Sequence, residues 1–293
     1  MLAASVVWIV LMILFALKWV LAPSEAVAET RHPVQCCFVG LIGVATMLIA
    51  LGLLPYSRLA GEVIFGIGAA FTIAFALWRT GVLWQGGRDP ATTTPVLYLP
   101  TVAGSFVLAT VAASLGYPDW GQLAFGAGLF SWLAIESVLL HRLYTVTTLP
   151  PALRPTLGIQ LAPPVVGAVA YLSVTSGPPD MLAHALIGYG LLQGLLLLRL
   201  LPWIMQQPFT PSYWAFTFGA TALATAPLRM IERGDSGAIA LIAPYLFGAA
   251  NIIVALIALA TLGLAVSTAR SRLRRPARVG VKIDEVGRSG AVR

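Results

Sequence analysis

Nine runs of about twenty mostly apolar residues follow one another along the chain, separated by short polar turns. They lie at roughly 2–22, 36–54, 60–84, 97–116, 119–142, 155–175, 181–203, 211–230 and 238–266. A run of that length crosses the hydrocarbon of a bilayer as a helix. Lipid offers no hydrogen-bond partner, so a backbone there must pair within its own segment. Unbroken apolar runs do this as helices, not as the alternating strands of a barrel. The pattern predicts an all-α polytopic membrane protein with nine transmembrane helices.

Four of the runs open on a proline, at His32-Pro33-Val34, Leu99-Pro100-Thr101, Arg154-Pro155-Thr156 and Thr210-Pro211-Ser212, at intervals of 67, 55 and 56 residues. Each is followed by an apolar run, a turn and a second apolar run, so the repeating unit is a helical hairpin. The first helix of each pair carries breakers: Gly40 and Gly43; Gly104; Gly158 with Pro163, Pro164 and Gly167; Gly219 with Pro227. The second is more plainly rich in leucine, isoleucine and alanine, as in 191–201, although Gly66, Gly68, Gly126, Gly128 and Pro244 fall in second helices. Broken helices are tolerated at membrane depth where protein buries them or where they line a cavity, whereas uniformly apolar helices face lipid. The first helices are therefore expected to form an inner ring and the second an outer ring. The run 2–22 has no proline start and no glycine break, and reads as a second helix without its first. The expected complete architecture is ten helices in five hairpins around a central pore, with the first inner helix missing from this sequence.

Composition agrees with this picture. The 293 residues are 58% hydrophobic and 10% charged, where a soluble domain carries about 25% charged residues. The net charge of +7 reads mainly as topology. Arg31, Arg79, Arg88, Arg142, Arg154 and Arg199 share one end of the helices with the basic C-terminus, and the other end holds only Arg58, Arg229 and Arg233. The positive-inside rule places the proline-marked starts and the C-terminus in the cytoplasm and the N-terminus outside. Residues 1–269 form the expected pore domain, in the inner (plasma) membrane, and 270–293 an expected disordered cytoplasmic tail. That basic tail is an orientation signal, and nucleic acid is not an expected partner. The run 2–22 lacks a basic residue before it and is longer than a signal core, so it reads as a retained helix.

Little in the sequence points to chemistry. Cys36 and Cys37 are adjacent, which suits neither a disulfide framework nor a metal site. There is no zinc-type His-Glu pair, phosphate-binding glycine loop or nucleophile elbow; no catalytic residue, metal or cofactor is expected, and the chain does not read as an enzyme. The inner helices carry no lysine or arginine at depth. That suits conduction of anions, since a fixed cation would hold an anion too long. They do present Phe38, Phe106, Gln160, Phe216 and Phe218. Glu136 is the only acid well inside a span; it reads as a braced structural carboxyl or as a proton-coupling group. His184 reads as a satisfied or interfacial histidine, and Gln193 and Asn251 as interhelical hydrogen-bonding residues.

The segments Arg31-His32-Pro33-Val34, Tyr98-Leu99-Pro100-Thr101-Val102, Leu149 through Pro163 and Pro208-Phe209 through Trp214-Ala215-Phe216-Thr217-Phe218-Gly219 resemble the tellurite-resistance/dicarboxylate transporter family, which includes the slow-type anion channels. The resemblance runs from about residue 10 to 265. It implies five inner helices around a pore within five outer ones, a homotrimer with one pore per chain, and closure near mid-membrane by a phenylalanine. That gate maps onto Phe218, with Phe216 as the alternative; Phe38, Phe106, Gln160, Gly158 and Gly219 are candidate lining residues. The implied function is an anion channel or channel-like permease for small inorganic or carboxylate anions, associated with tellurite resistance. The alternative is a proton-coupled dicarboxylate or oxyanion carrier, for which Glu136 is the candidate coupling group, and a third reading is a non-transporting membrane scaffold.

Overall fold

The computed structural model describes residues 2–273; nearly all of the expected tail, from residue 274 on, lies outside them. The described chain is helical, with no strand: α1 (Leu2–Leu21), α2 (Pro23–Arg31), α3 (Gln35–Val39), α4 (Leu41–Leu53), α5 (Arg58–Trp84), α6 (Gly104–Ser114), α7 (Pro118–Thr145), α8 (Ala162–Val174), α9 (Met181–Ile204), α10 (Ala215–Glu232) and α11 (Ala238–Leu273). Among the described residues, eight stretches are long and apolar enough to cross a membrane. The expected span at 211–230 is not among them. Its helix, α10, is rich in alanine and threonine and ends on Arg229 and Glu232, yet it packs against α8 and α11 like its counterparts. The short helix α2 was not expected from the hydropathy pattern. It starts on Pro23, with Glu25 in its first turn, and an ion pair between Lys18 and Glu29 ties it to α1.

Burial separates the two classes of helix. In the apolar core of each stretch, 83%, 72% and 44% of the residues are buried in Pro151–Val174, Pro95–Ser114 and Gln35–Leu53, against 17%, 22% and 33% in Arg58–Trp84, Pro118–Thr145 and Met181–Ile204. Broken first helices therefore lie inside and unbroken second helices outside. Two of the outer-helix exceptions, Gly68 and Gly128, mark close packing against an inner helix. A Cβ on Gly68 would sit 3.0 Å from the Met47 nitrogen, and one on Gly43 would sit 2.9 Å from the Gly68 oxygen, so α4 and α5 approach through small residues. Gly128 meets the Phe106 ring in the same way, whereas Gly66 and Gly126 face open space.

The inner helices share a second trait. None of them is α-helical from its proline start. The first is interrupted at Gly40; the second begins as a π-helical turn over Leu99–Ala103; the third as an eleven-residue 3-10 segment, Pro151–Leu161; the fourth as a 3-10 turn, Pro211–Trp214. Proline has no N–H to give and its ring crowds the preceding turn, so the backbone tightens or widens there.

At the far end, the three basic residues of the poorer face serve the inner helices. Arg58 donates to the Leu115 carbonyl at 3.0 Å, Arg233 to the carbonyls of Leu172 and Thr175, and Arg229 to the Ser173 hydroxyl at 2.9 Å. A cation beside terminal carbonyls is favourable because it meets the negative end of the helix dipole. His184 pairs with Asp235 at 2.7 Å and faces the Asp180 carbonyl at 2.8 Å. Asn251 makes no interhelical bond; it is exposed and donates to the Phe247 carbonyl of its own helix. Gln193 is buried. Cys36 and Cys37 are both fully buried and free, with their sulfurs 4.0 Å apart.

Candidate pore and its constriction

A cavity of about 350 Å³ opens at the proline end, between the inner helices. Phe38, Leu41 and Val44 wall it from the first inner helix, and Ser212, Trp214 and Thr217 from the fourth. Beyond it lies a void of only about 10 Å³, bounded by Val102, Phe106, Pro163 and Val166 among others. Leu99, Ile159, Ala162 and Phe218 belong to the walls of both. These four residues, one or two from each of three inner helices, form a collar between the larger space and the smaller. No charged side chain lines either space, and Ser212 and Thr217 supply the only side-chain hydroxyls of the larger one. The Thr217 hydroxyl already donates to the Trp214 carbonyl at 2.8 Å.

Helix geometry separates the two phenylalanines of α10. Residues two apart lie about 200° apart around an α-helix, so Phe216 and Phe218 face opposite ways. Phe218 faces the collar. Phe216 lies against the third inner helix, where a Cβ on Gly158 would come within 2.6 Å of its ring, and it stacks with Tyr213 at 6.3 Å. Gly158 is therefore the floor under Phe216 and not part of the cavity wall. Gly219 has the same kind of role, with Leu161 2.8 Å from where its Cβ would be. Phe38 lines the larger cavity. Phe106 is fully buried, packed on Gly128 and Gly167 with its ring 5.8 Å from that of Phe125, and touches only the smaller void.

Gln160 does not face the pore. In a 3-10 segment successive side chains are about 120° apart, so with Ile159 on the collar Gln160 turns outward, into a buried polar cluster. At its centre is Glu136 on α7. Its Oε1 accepts from Gln160 Nε2 at 2.8 Å and from the Tyr189 hydroxyl at 2.7 Å; its Oε2 accepts from Trp132 Nε1 at 3.0 Å and from the Tyr98 hydroxyl. Gln160 Nε2 also reaches the Tyr98 oxygen at 3.1 Å, while Gln160 Oε1 has no partner. Four donors around two oxygens match the acceptor-only inventory of a carboxylate. Removing a charge from water costs several kcal/mol, and a hydrogen bond to a charged group contributes about 1.5–3 kcal/mol, so four suffice to offset the burial. The Trp132–Glu136 pair was legible as an i, i+4 spacing on one helix. Tyr98 and Tyr189 come from other elements and carried no sequence signal of their part. Glu136 lines neither cavity.

A family model described as voltage-dependent anion channel (SLAC1) matches residues 1–262. Over 260 residues the chain is 38% identical to a tellurite resistance protein TehA homolog of Haemophilus influenzae, a match covering 88% of this chain and 78% of that one. An uncharacterized transporter of Methanocaldococcus jannaschii is 26% identical over 71% of this chain and 68% of its own length. The S-type anion channel SLAH2 of Arabidopsis thaliana is 27% identical over 88% of this chain, which spans half of that plant protein's length.

Proposed function

From the chain's membership of the SLAC1 family of voltage-dependent anion channels, we propose that it conducts small anions through the space between its inner helices and that Phe218 closes that path. The observation that carries this reading is the position of Phe218 in the wall of both cavities. A phenyl ring in an apolar collar obstructs an ion by excluding water, and removing it opens the path. The walls hold no fixed cation, so an anion that enters also leaves. Attraction comes instead from helix N-termini, whose partial positive charge favours anions. The fourth inner helix starts at Pro211, which lines the larger cavity.

The passive channel is favoured over a proton-coupled carrier because Glu136, the only deeply placed carboxyl among the described residues, lines neither cavity and is surrounded by donors. The relative named for tellurite resistance extends the proposal to oxyanions as cargo. The clustering of Arg31, Arg79, Arg88, Arg142, Arg154 and Arg199 at the proline end supports our reading of a plasma-membrane protein with that end and the C-terminus in the cytoplasm, and the family likeness supports our reading of a homotrimer. Recording from Phe218→Ala in planar bilayers tests the central reading. Anion conductance should rise on the order of tenfold, the equivalent of a barrier lowered by about 1.4 kcal/mol. Conductance equal to that of the native protein would refute the gate.

A further inference from the structure

We infer that Glu136 is a positioning residue for the constriction: from outside the pore it holds the two backbone segments that clamp Phe218. The inference rests on Phe218 being the gate. Two of the collar residues, Leu99 and Ile159, each have a chain neighbour that binds Glu136: Tyr98 precedes Leu99, and Gln160 follows Ile159. Tyr98 lines the smaller void beside Leu99 while its hydroxyl reaches Glu136, and Gln160 turns away from both spaces next to Ile159, so a shift of Tyr98 or Gln160 is a shift of the collar.

Both segments need such support. Leu99–Ala103 is a π-helical turn and Pro151–Leu161 a 3-10 segment far longer than the three or four residues usual for that geometry. Tyr98, the residue just before the first, and Gln160, within the second, are the buried polar side chains of the cluster, and both meet the same carboxyl and each other. Trp132 from α7 and Tyr189 from α9 occupy the remaining acceptor positions, so the carboxyl is anchored to the outer helices while it grips the inner ones. No hydrogen bond joins Glu136 to Phe218. Its influence on the ring runs through Tyr98–Leu99 and Gln160–Ile159.

Glu136→Gln replaces one acceptor oxygen by an NH₂ group: toward Tyr98 and Trp132 it meets the donor-only indole N–H, and toward Gln160 and Tyr189 it is satisfied only if the Gln160 amide flips and the Tyr189 hydroxyl turns to accept, so either placement rearranges the cluster. Tyr98→Phe keeps the ring and removes one of the same bonds, and it carries the test should the first variant not assemble. With reconstituted protein of equal amount, each substitution should raise resting anion current several-fold in the native background. On the Phe218→Ala background each should leave the current unchanged, because no ring remains to be clamped. A merely structural bond would act alike in both backgrounds. The inference is overturned if either variant multiplies the current by the same factor with and without Phe218, or leaves the native current unaltered. Phe218→Ala alone separates the two ideas. If it conducts no better than the native protein, the gate reading fails and the inference with it; if it conducts better while the Glu136 effect persists on its background, only the inference fails.

Discussion

At the scale of single residues, close approach and direction matter more than residue type. Gly219 faces Leu161 with no room for a methyl group, and the Ala162 nitrogen would lie 3.0 Å from an added Cβ. Gly219→Ala should therefore destabilise the protein by about 1–3 kcal/mol through overpacking, read as a lower thermal midpoint in detergent. Adding Leu161→Ala should restore part of the loss; an unchanged midpoint in the single variant would contradict this account. Phe106 was a candidate lining residue, but its ring fills the junction of α6, α7 and α8. Phe106→Ala should cost about 3–5 kcal/mol in the same measurement. The sequence marked Phe216, Phe218 and Gly219 in one motif and Gly158 in another without distinguishing their faces. The half-turn between the phenylalanines assigns one to the collar and the other to packing. Gln160 could not be oriented from sequence, because the rotation that turns it outward belongs to a 3-10 backbone, and its proline fits an ordinary α-helical first turn equally well.

At the scale of elements, the proline starts and glycine breaks identified the inner helices, whereas their π and 3-10 geometry was not legible, since it depends on what the segments pack against. The connecting helix α2 escaped the hydropathy pattern because it is short and polar. Helix ends were partly readable: Asp180 stands in the N-cap position of α9 and accepts from the amides of Leu182 and Ala183, each at 3.1 Å. The Tyr171 hydroxyl, and then these amides, hold the Asp180 carboxyl below the usual carboxylate range. A carboxyl whose folded value is depressed contributes stability above its unfolded value, about 3.9, and the contribution is lost as pH falls through the folded value. Hydrogen exchange at Leu182 and Ala183, corrected for intrinsic rates, should show protection falling as the pH drops below about 4. Asparagine caps a helix without titrating, so Asp180→Asn should abolish that pH dependence while keeping the helix start. Equal pH dependence in both proteins would show that Asp180 is not its source.

At the scale of the molecule, the burial contrast between broken and unbroken helices is the property that the sequence expressed most clearly, because lipid and protein select for different residues along whole spans. The same logic fails for α10, whose alanines and threonines suit close packing and a cavity wall and so depress its hydropathy below that of a lipid-facing span. The collar is a product of three inner helices converging, and no local pattern specifies it. If the account is right, the apolar ring at the collar sets the conductance and the ring half a turn away does not. Single-channel recording of Phe218→Ala beside Phe216→Ala under identical anion gradients tests this most directly. The account predicts a conductance rise in Phe218→Ala and none in Phe216→Ala; equal effects of the two, or a rise confined to Phe216→Ala, would contradict it.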